Sequence, residues 1–90
     1  MSIKVMISAY LQRLTNHTEI VEVNGSTVGE CLKHLVEQFP PVKERLFDKQ
    51  GKLFINVNIY VNGESAYPEN LHKPVRDGDE IGIATRVGGG

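Results

Sequence analysis

Tryptophan is absent and cysteine occurs once, at Cys31. A lone cysteine excludes an internal disulfide framework and any thiolate metal cluster. An excess of charge of either sign is missing too: ten Lys and Arg against eleven Asp and Glu leave a formal net charge of −1. That balance argues against a nucleic-acid footprint and against a basic membrane-binding surface. No apolar run approaches the length of a membrane span. Residues 1–10 carry polar side chains at alternate positions, where a signal peptide would carry a continuous apolar stretch, so the chain reads as cytoplasmic. In that setting the glycosylation patterns at Asn16 and Asn24 are chance matches. There is no P-loop, no nucleotide-binding glycine fingerprint, no Ser/His/Asp constellation and no zinc pattern. His17, His34 and His72 lack metal-ligand spacing and read as surface residues. The chain carries no catalytic apparatus of its own, so any chemistry it undergoes is activated by another protein.

What is present describes one folded body. Ninety residues, with 40% hydrophobic and 23% charged, make a single globular domain with a modest core. Ile3, Val5, Ile7 and Ala9 alternate with Lys4, Met6, Ser8 and Tyr10, which is the period of a half-buried strand. After a polar stretch at 12–17, residues 20–23 give a second β-branched run that ends at Asn24-Gly25, so the two strands form a hairpin. Thr27-Val28-Gly29-Glu30 fits a capping box. The helix it opens, over 27–39, places Val28, Leu32, Leu35, Val36 and Phe39 in one stripe about 100° wide, with Glu30, Lys33, His34 and Glu37 opposite. Pro40-Pro41 stops it. Gly29 costs about 1 kcal/mol in helix propensity and marks a close approach to the sheet.

A short helical turn is expected over 42–47, anchored by Leu46 and Phe47, then a polar loop over 48–52. Val57, Ile59 and Val61 alternate with Asn58, Tyr60 and Asn62 as a third strand, and Asn62-Gly63 signals a tight hairpin into a short fourth strand at 64–66. Residues 68–74 read as irregular with one helical turn. Asp77-Gly78-Asp79 turns the chain into a last strand opened by Ile81 and Ile83. The order strand, strand, helix, strand, short strand, last strand is the β-grasp, or ubiquitin-like, α+β pattern: a mixed sheet with one main helix across it and the first and last strands central. Cys31, at the flank of the helical stripe, reads as a packing residue; a nucleophilic role would need an activating base that the sequence does not place nearby. Asp77, Asp79 and Glu80 serve either turn chemistry or docking of a basic partner.

The chain then runs out through Arg86 and Val87 into Gly88-Gly89-Gly90. The domain reads as 1–87 and the tail as 88–90. Three glycines are thin and conformationally free, expected to be mobile until a partner orders them, and reach about 10 Å when extended. A frayed terminus without a role is the alternative. If the tail has a role, its distinctive group is the Gly90 carboxylate. Arg86 beside it is either solvated or steers the tail toward phosphates or an acidic partner group.

Taken together, these features resemble the MoaD/ThiS family of ubiquitin-like sulfur carriers. The resemblance covers essentially the whole chain. It rests on Ile3-Lys4-Val5, Thr27-Val28-Gly29, the strand from Val57 through Asn62, the turn Asp77-Gly78-Asp79 before Ile81, and Gly89-Gly90. Within the family, Glu44-Arg45-Leu46-Phe47-Asp48, Gly51-Lys52-Leu53 and Asn58-Ile59-Tyr60-Val61-Asn62 resemble the CysO-type, cysteine-forming branch. Molybdopterin carriers often show a proline pair near the end of the last strand, where this chain has Ala84-Thr85-Arg86-Val87.

The resemblance implies that a ubiquitin-activating-type enzyme adenylates Gly90 with ATP and that a sulfur donor converts the adenylate to a thiocarboxylate. It also implies a sulfur-acceptor enzyme, either cysteine synthase-like or the large subunit of molybdopterin synthase. The chain itself then binds no cofactor and no metal. Gly88, Gly89, Arg86, Tyr60 and Ile59, with Val57, are the expected partner contacts, because a partner that grips the tail must also touch the sheet beside it. Two other readings stay open: a ubiquitin-like modifier that joins Gly90 to lysines, and a plain β-grasp binding module with an inert tail.

Overall fold

The structure, a computed structural model, describes residues 2–85. The expectations for Arg86, Val87, Gly88, Gly89 and Gly90 lie outside the described residues, as does the boundary between the domain and the tail.

Alternating apolar residues produce the expected sheet. β1 (Ser2–Met6) pairs antiparallel with β2 (Ile20–Asn24) and parallel with β5 (Glu80–Thr85). β3 (Val57–Val61) pairs antiparallel with β5 on one side and with the two-residue β4 (Glu64–Ser65) on the other. The strand order β2-β1-β5-β3-β4 places the first and last strands side by side near the centre, as the β-grasp pattern requires. Ile3, Val5, Val21, Val23, Val57, Ile59, Val61, Ile81 and Ile83 all turn to one face and are buried.

The long helix α2 (Val28–Gln38) supplies the other wall of the core. Its buried side is Val28, Cys31, Leu32 and Leu35, while Val36 and Phe39 are only half-buried. The expected stripe is thus rotated slightly toward Cys31. Glu30 N–H donates to Thr27 Oγ1 at 3.2 Å, so Thr27 caps the helix. The reciprocal half of the capping box differs from expectation: Glu30 Oε1 accepts from the Ser26 N–H at 2.8 Å and the Ser26 hydroxyl at 2.9 Å, one residue before the cap. The Ser26 N–H, first, and then its hydroxyl lower the Glu30 pKa. Gly29 does mark a close approach, but not to the sheet. A Cβ there would lie 3.0 Å from the Leu71 carbonyl oxygen, in the short 3-10 turn Asn70–His72.

One segment departs from the expected alternation, while the helical turn expected over 42–47 is present. β1 ends at Met6, and residues expected to continue it form the helical turn α1 (Ala9–Gln12). The turn buries Leu11 completely. Pro40–Val42 forms a 3-10 turn and Lys43–Leu46 a helical turn, α3, whose Leu46 is buried while Phe47 packs partly against the core. Arg45 Nη1 donates to Tyr10 Oη at 3.0 Å and so ties α3 to α1.

Candidate functional site

The hairpin residues explain how the sheet reaches its register. Asn62 and Gly63 both take positive φ, 52° and 84°, the conformation in which Asn-Gly closes a two-residue hairpin. Asn62 also braces the turn before β5. Its Nδ2 donates to Asp79 Oδ1 at 3.0 Å, and its Oδ1 accepts from the Glu80 N–H at 3.0 Å. Asp79 Oδ2 accepts from the Arg76 N–H at 2.8 Å, and Asp77 Oδ1 accepts from the Ser2 N–H at 2.6 Å. The Asn62 amide, with the Arg76 N–H behind it, lowers the Asp79 pKa. Both aspartates are therefore engaged in turn chemistry that fixes where β5 starts.

That register assembles a row of residues on the face turned away from α2. Ile20 lies opposite Met6, Met6 opposite Gly82, and Gly82 opposite Tyr60. Four strands contribute one residue each, across three inter-strand spacings or about 14 Å. Ile20, Met6 and Tyr60 are 47%, 39% and 37% exposed. Gly82 leaves a notch between its two bulky neighbours, and a Cβ there would meet nothing closer than Tyr60 Cβ, at 3.8 Å. One step nearer the end of β5, Ala84 lies opposite Asn58; one step the other way, Glu22, Lys4 and Glu80 form a charged row. The apolar row thus occupies the half of the face from which β5 runs on toward residue 86. Phe54 and the fully exposed Ile55 precede β3, whose first residue, Val57, lies opposite Thr85 at that same end.

The expected docking residues divide accordingly. Tyr60 belongs to the outward row. Ile59 and Val57 do not: they are 2% and 8% exposed and pack in the core on the α2 side of the sheet. Alternation put Tyr60 and Ile59 on opposite faces, so both cannot serve one surface. Arg86, Gly88, Gly89 and Gly90 lie outside the described residues. Met6, Ile20 and Gly82 were missed. The available signal was an apolar side chain, or a glycine, at the outward phase of an amphipathic strand.

Cys31 is buried, and burial, with a smaller push from the Glu30 charge, raises its thiol pKa to about 11. It stays a neutral thiol near pH 7, in line with a packing role. Among the described residues no group of three or more His, Cys, Asp or Glu could hold a metal ion, and no helix is long and apolar enough to cross a membrane.

Comparison with known proteins places this geometry. Sulfur carrier protein CysO of Mycobacterium tuberculosis is 34% identical over 93 residues, covering 100% of both chains. Small archaeal modifier protein 1 of Haloferax volcanii is 36% identical over 76 residues, covering 83% of this chain and 84% of that one. A chain in the crystal structure of the Amycolatopsis orientalis BexX/CysO complex superposes with a TM-score of 0.88 at 32% identity, covering 98% of this chain and 99% of that one. The ThiS family model matches residues 5–90, and the chain belongs to that family of sulfur carrier proteins.

Proposed function

We propose that the chain carries sulfur on its terminal glycine. An adenylating enzyme of the ubiquitin-activating type docks on the sheet and takes in residues 88–90. One Gly90 carboxylate oxygen attacks the α-phosphorus of ATP, pyrophosphate leaves, and an acyl-adenylate forms. A sulfide donor then makes the C–S bond at the same carbonyl carbon, AMP departs with the C–O bond, and a thiocarboxylate remains. The adenylate is needed because a carboxylate is a poor electrophile without a leaving group. Glycine at 88 and 89 keeps the segment thin enough for a narrow active site. ATP is used by the partner and not held by this chain, and the reaction belongs in the cytoplasm.

The observation that carries this reading is the outward row of Ile20, Met6, Gly82 and Tyr60, on the half of the sheet from which β5 leads into the glycines. An exposed apolar patch rimmed by polar residues is the mark of a protein contact, and here it includes Gly82 of β5, the strand that precedes the glycines in the sequence. Arg86 follows β5 directly in the sequence and brings a cation within a few residues of Gly90 along the chain.

Cysteine formation is the favoured destination. End-to-end similarity to CysO supports it. The acceptor would then be a cysteine synthase-like enzyme that presents a PLP-bound aminoacrylate as the electrophile for the thiocarboxylate sulfur. Similarity to a small archaeal modifier protein supports a second reading, in which the adenylate is passed to a lysine amine and an isopeptide bond forms. Incubation with the cognate adenylating enzyme, ATP and sulfide, followed by intact-mass measurement, decides between them. The carrier reading expects the mass change of one oxygen replaced by one sulfur, and loss of that change when Gly90 is deleted. A chain that gains neither AMP nor sulfur where a known carrier does refutes the proposal. Glycine-tailed lysines on other proteins, with no sulfur ever retained, establish the modifier instead.

A further inference from the structure

A sheet of this order has two edges, and they differ in length. β4 is two residues long and offers little to pair with. β2 has five residues, and beyond it the sheet has no further strand among the described residues. An antiparallel strand bonded on one side turns the N–H and C=O of alternate residues outward, ready to bond another strand. In β2 these residues are Ile20, Glu22 and Asn24, since the adjoining pairing runs through Glu19, whose carbonyl accepts from the Ile7 N–H. An exposed isoleucine, Ile20, makes the edge apolar as well as open.

We propose that His34 and Gln38 of α2 close this edge against strand pairing with a second copy of the chain. The Asn24 N–H donates to His34 Nδ1 at 2.8 Å, and Gln38 Nε2 donates to the Glu22 carbonyl oxygen at 3.1 Å. Both bonds take up groups that a neighbouring strand would need. The spacing fits the task. His34 and Gln38 are four residues apart on a helix, a rise of about 6 Å. Glu22 and Asn24 are two residues apart on a strand, about 6.8 Å. One helical turn therefore matches one outward step of the edge, and the two polar side chains sit over alternate backbone groups. Glu22 adds a charge to the same edge. If two copies paired antiparallel about their Glu22 positions, two carboxylates would face each other, which is unfavourable. The device would keep the outward face free for a partner without strand-to-strand association, and it does not depend on what residue 90 carries.

Hydrogen exchange on the native protein tests the inference without any substitution. The Asn24 amide is expected to exchange about tenfold more slowly than the Glu22 amide, which no group covers among the described residues. Equal exchange at the two positions would overturn the proposal. The second arm compares Glu22→Gln with Glu22→Gln/His34→Ala/Gln38→Ala at high micromolar concentration by light scattering, with circular dichroism to confirm folding. A doubled mass for the triple variant, with the single variant monomeric, is the expected result. A folded triple variant that stays monomeric, or a single variant that dimerises equally, would show that these two bonds do not close the edge.

Discussion

Gly82→Val separates docking from folding, because the site's central position is a glycine whose surroundings do not require one. A Cβ at Gly82 would lie 3.8 Å from Tyr60 Cβ, ordinary van der Waals contact, and Gly82 is not among the residues with positive φ. The folded protein therefore accommodates a side chain there. Glycine inside a strand costs about 0.5–1 kcal/mol in conformational entropy, so the valine variant should match or exceed the native protein by about that much. For a domain of this size the gain is a melting temperature higher by about 2–8 °C. The partner meets the opposite consequence. Interfaces pack at core density, and inserting methyl groups into a packed contact costs about 1–3 kcal/mol. That corresponds to a loss of about 5- to 150-fold in affinity or in kcat/KM for the chain as substrate. Calorimetric melting and the initial rate of adenylation, measured on the same preparation, give both quantities. Unchanged adenylation at unchanged or raised stability would remove the notch between Met6 and Tyr60 from the docking surface. A melting point several degrees below the native value would show that the steric reading of Gly82 is wrong.

Leu32→Ala, at a fully buried position of α2, should cost about 2–5 kcal/mol in denaturant unfolding, and a loss below about 1 kcal/mol would contradict the packing of the helix on the sheet. Gly25→Ala should destabilise by about 1–3 kcal/mol, because the new Cβ would sit 2.9 Å from both the backbone N and the Sγ of Cys31, so the first turn of α2 must shift; a neutral result would refute that contact. Cys31 keeps its proton longer in the native state than in the unfolded chain, since burial raises its pKa from 9.0 to about 11. Stability should therefore fall as pH rises through that interval, and Cys31→Ala should flatten this part of the profile. The native thiol should also resist alkylation at neutral pH and react once the chain is unfolded, as followed by mass spectrometry.

Period two in β1, β2, β3 and β5, the helical stripe of α2, the Thr27 cap and the Asn62-Gly63 hairpin are local signals, each carried by residues a few positions apart. They were legible in the sequence, and with their order along the chain they specified a β-grasp domain. The Gly-rich end was equally legible, as was the family resemblance that gives it meaning. α1 was not: residues 7–11 are compatible with continued alternation, which would put Leu11 in phase with Ile3, Val5 and Ile7, so no local signal separates a helical turn from more strand. The outward row was hidden for a stronger reason. Met6, Ile20, Tyr60 and Gly82 come from four strands, and what brings them into line is the pairing register. Register is set by which residues far apart in the chain bond to each other, so it belongs to the tertiary structure. Alternation already separated Ile59 and Val57 from Tyr60, but the packing of α2 on the sheet decided that the first two serve the core, and it set His34 and Gln38 against the β2 edge. The sequence by itself determined the elements and the chemistry proposed for the chain's end. Which outward residues line up across the four strands was decided by long-range backbone pairing.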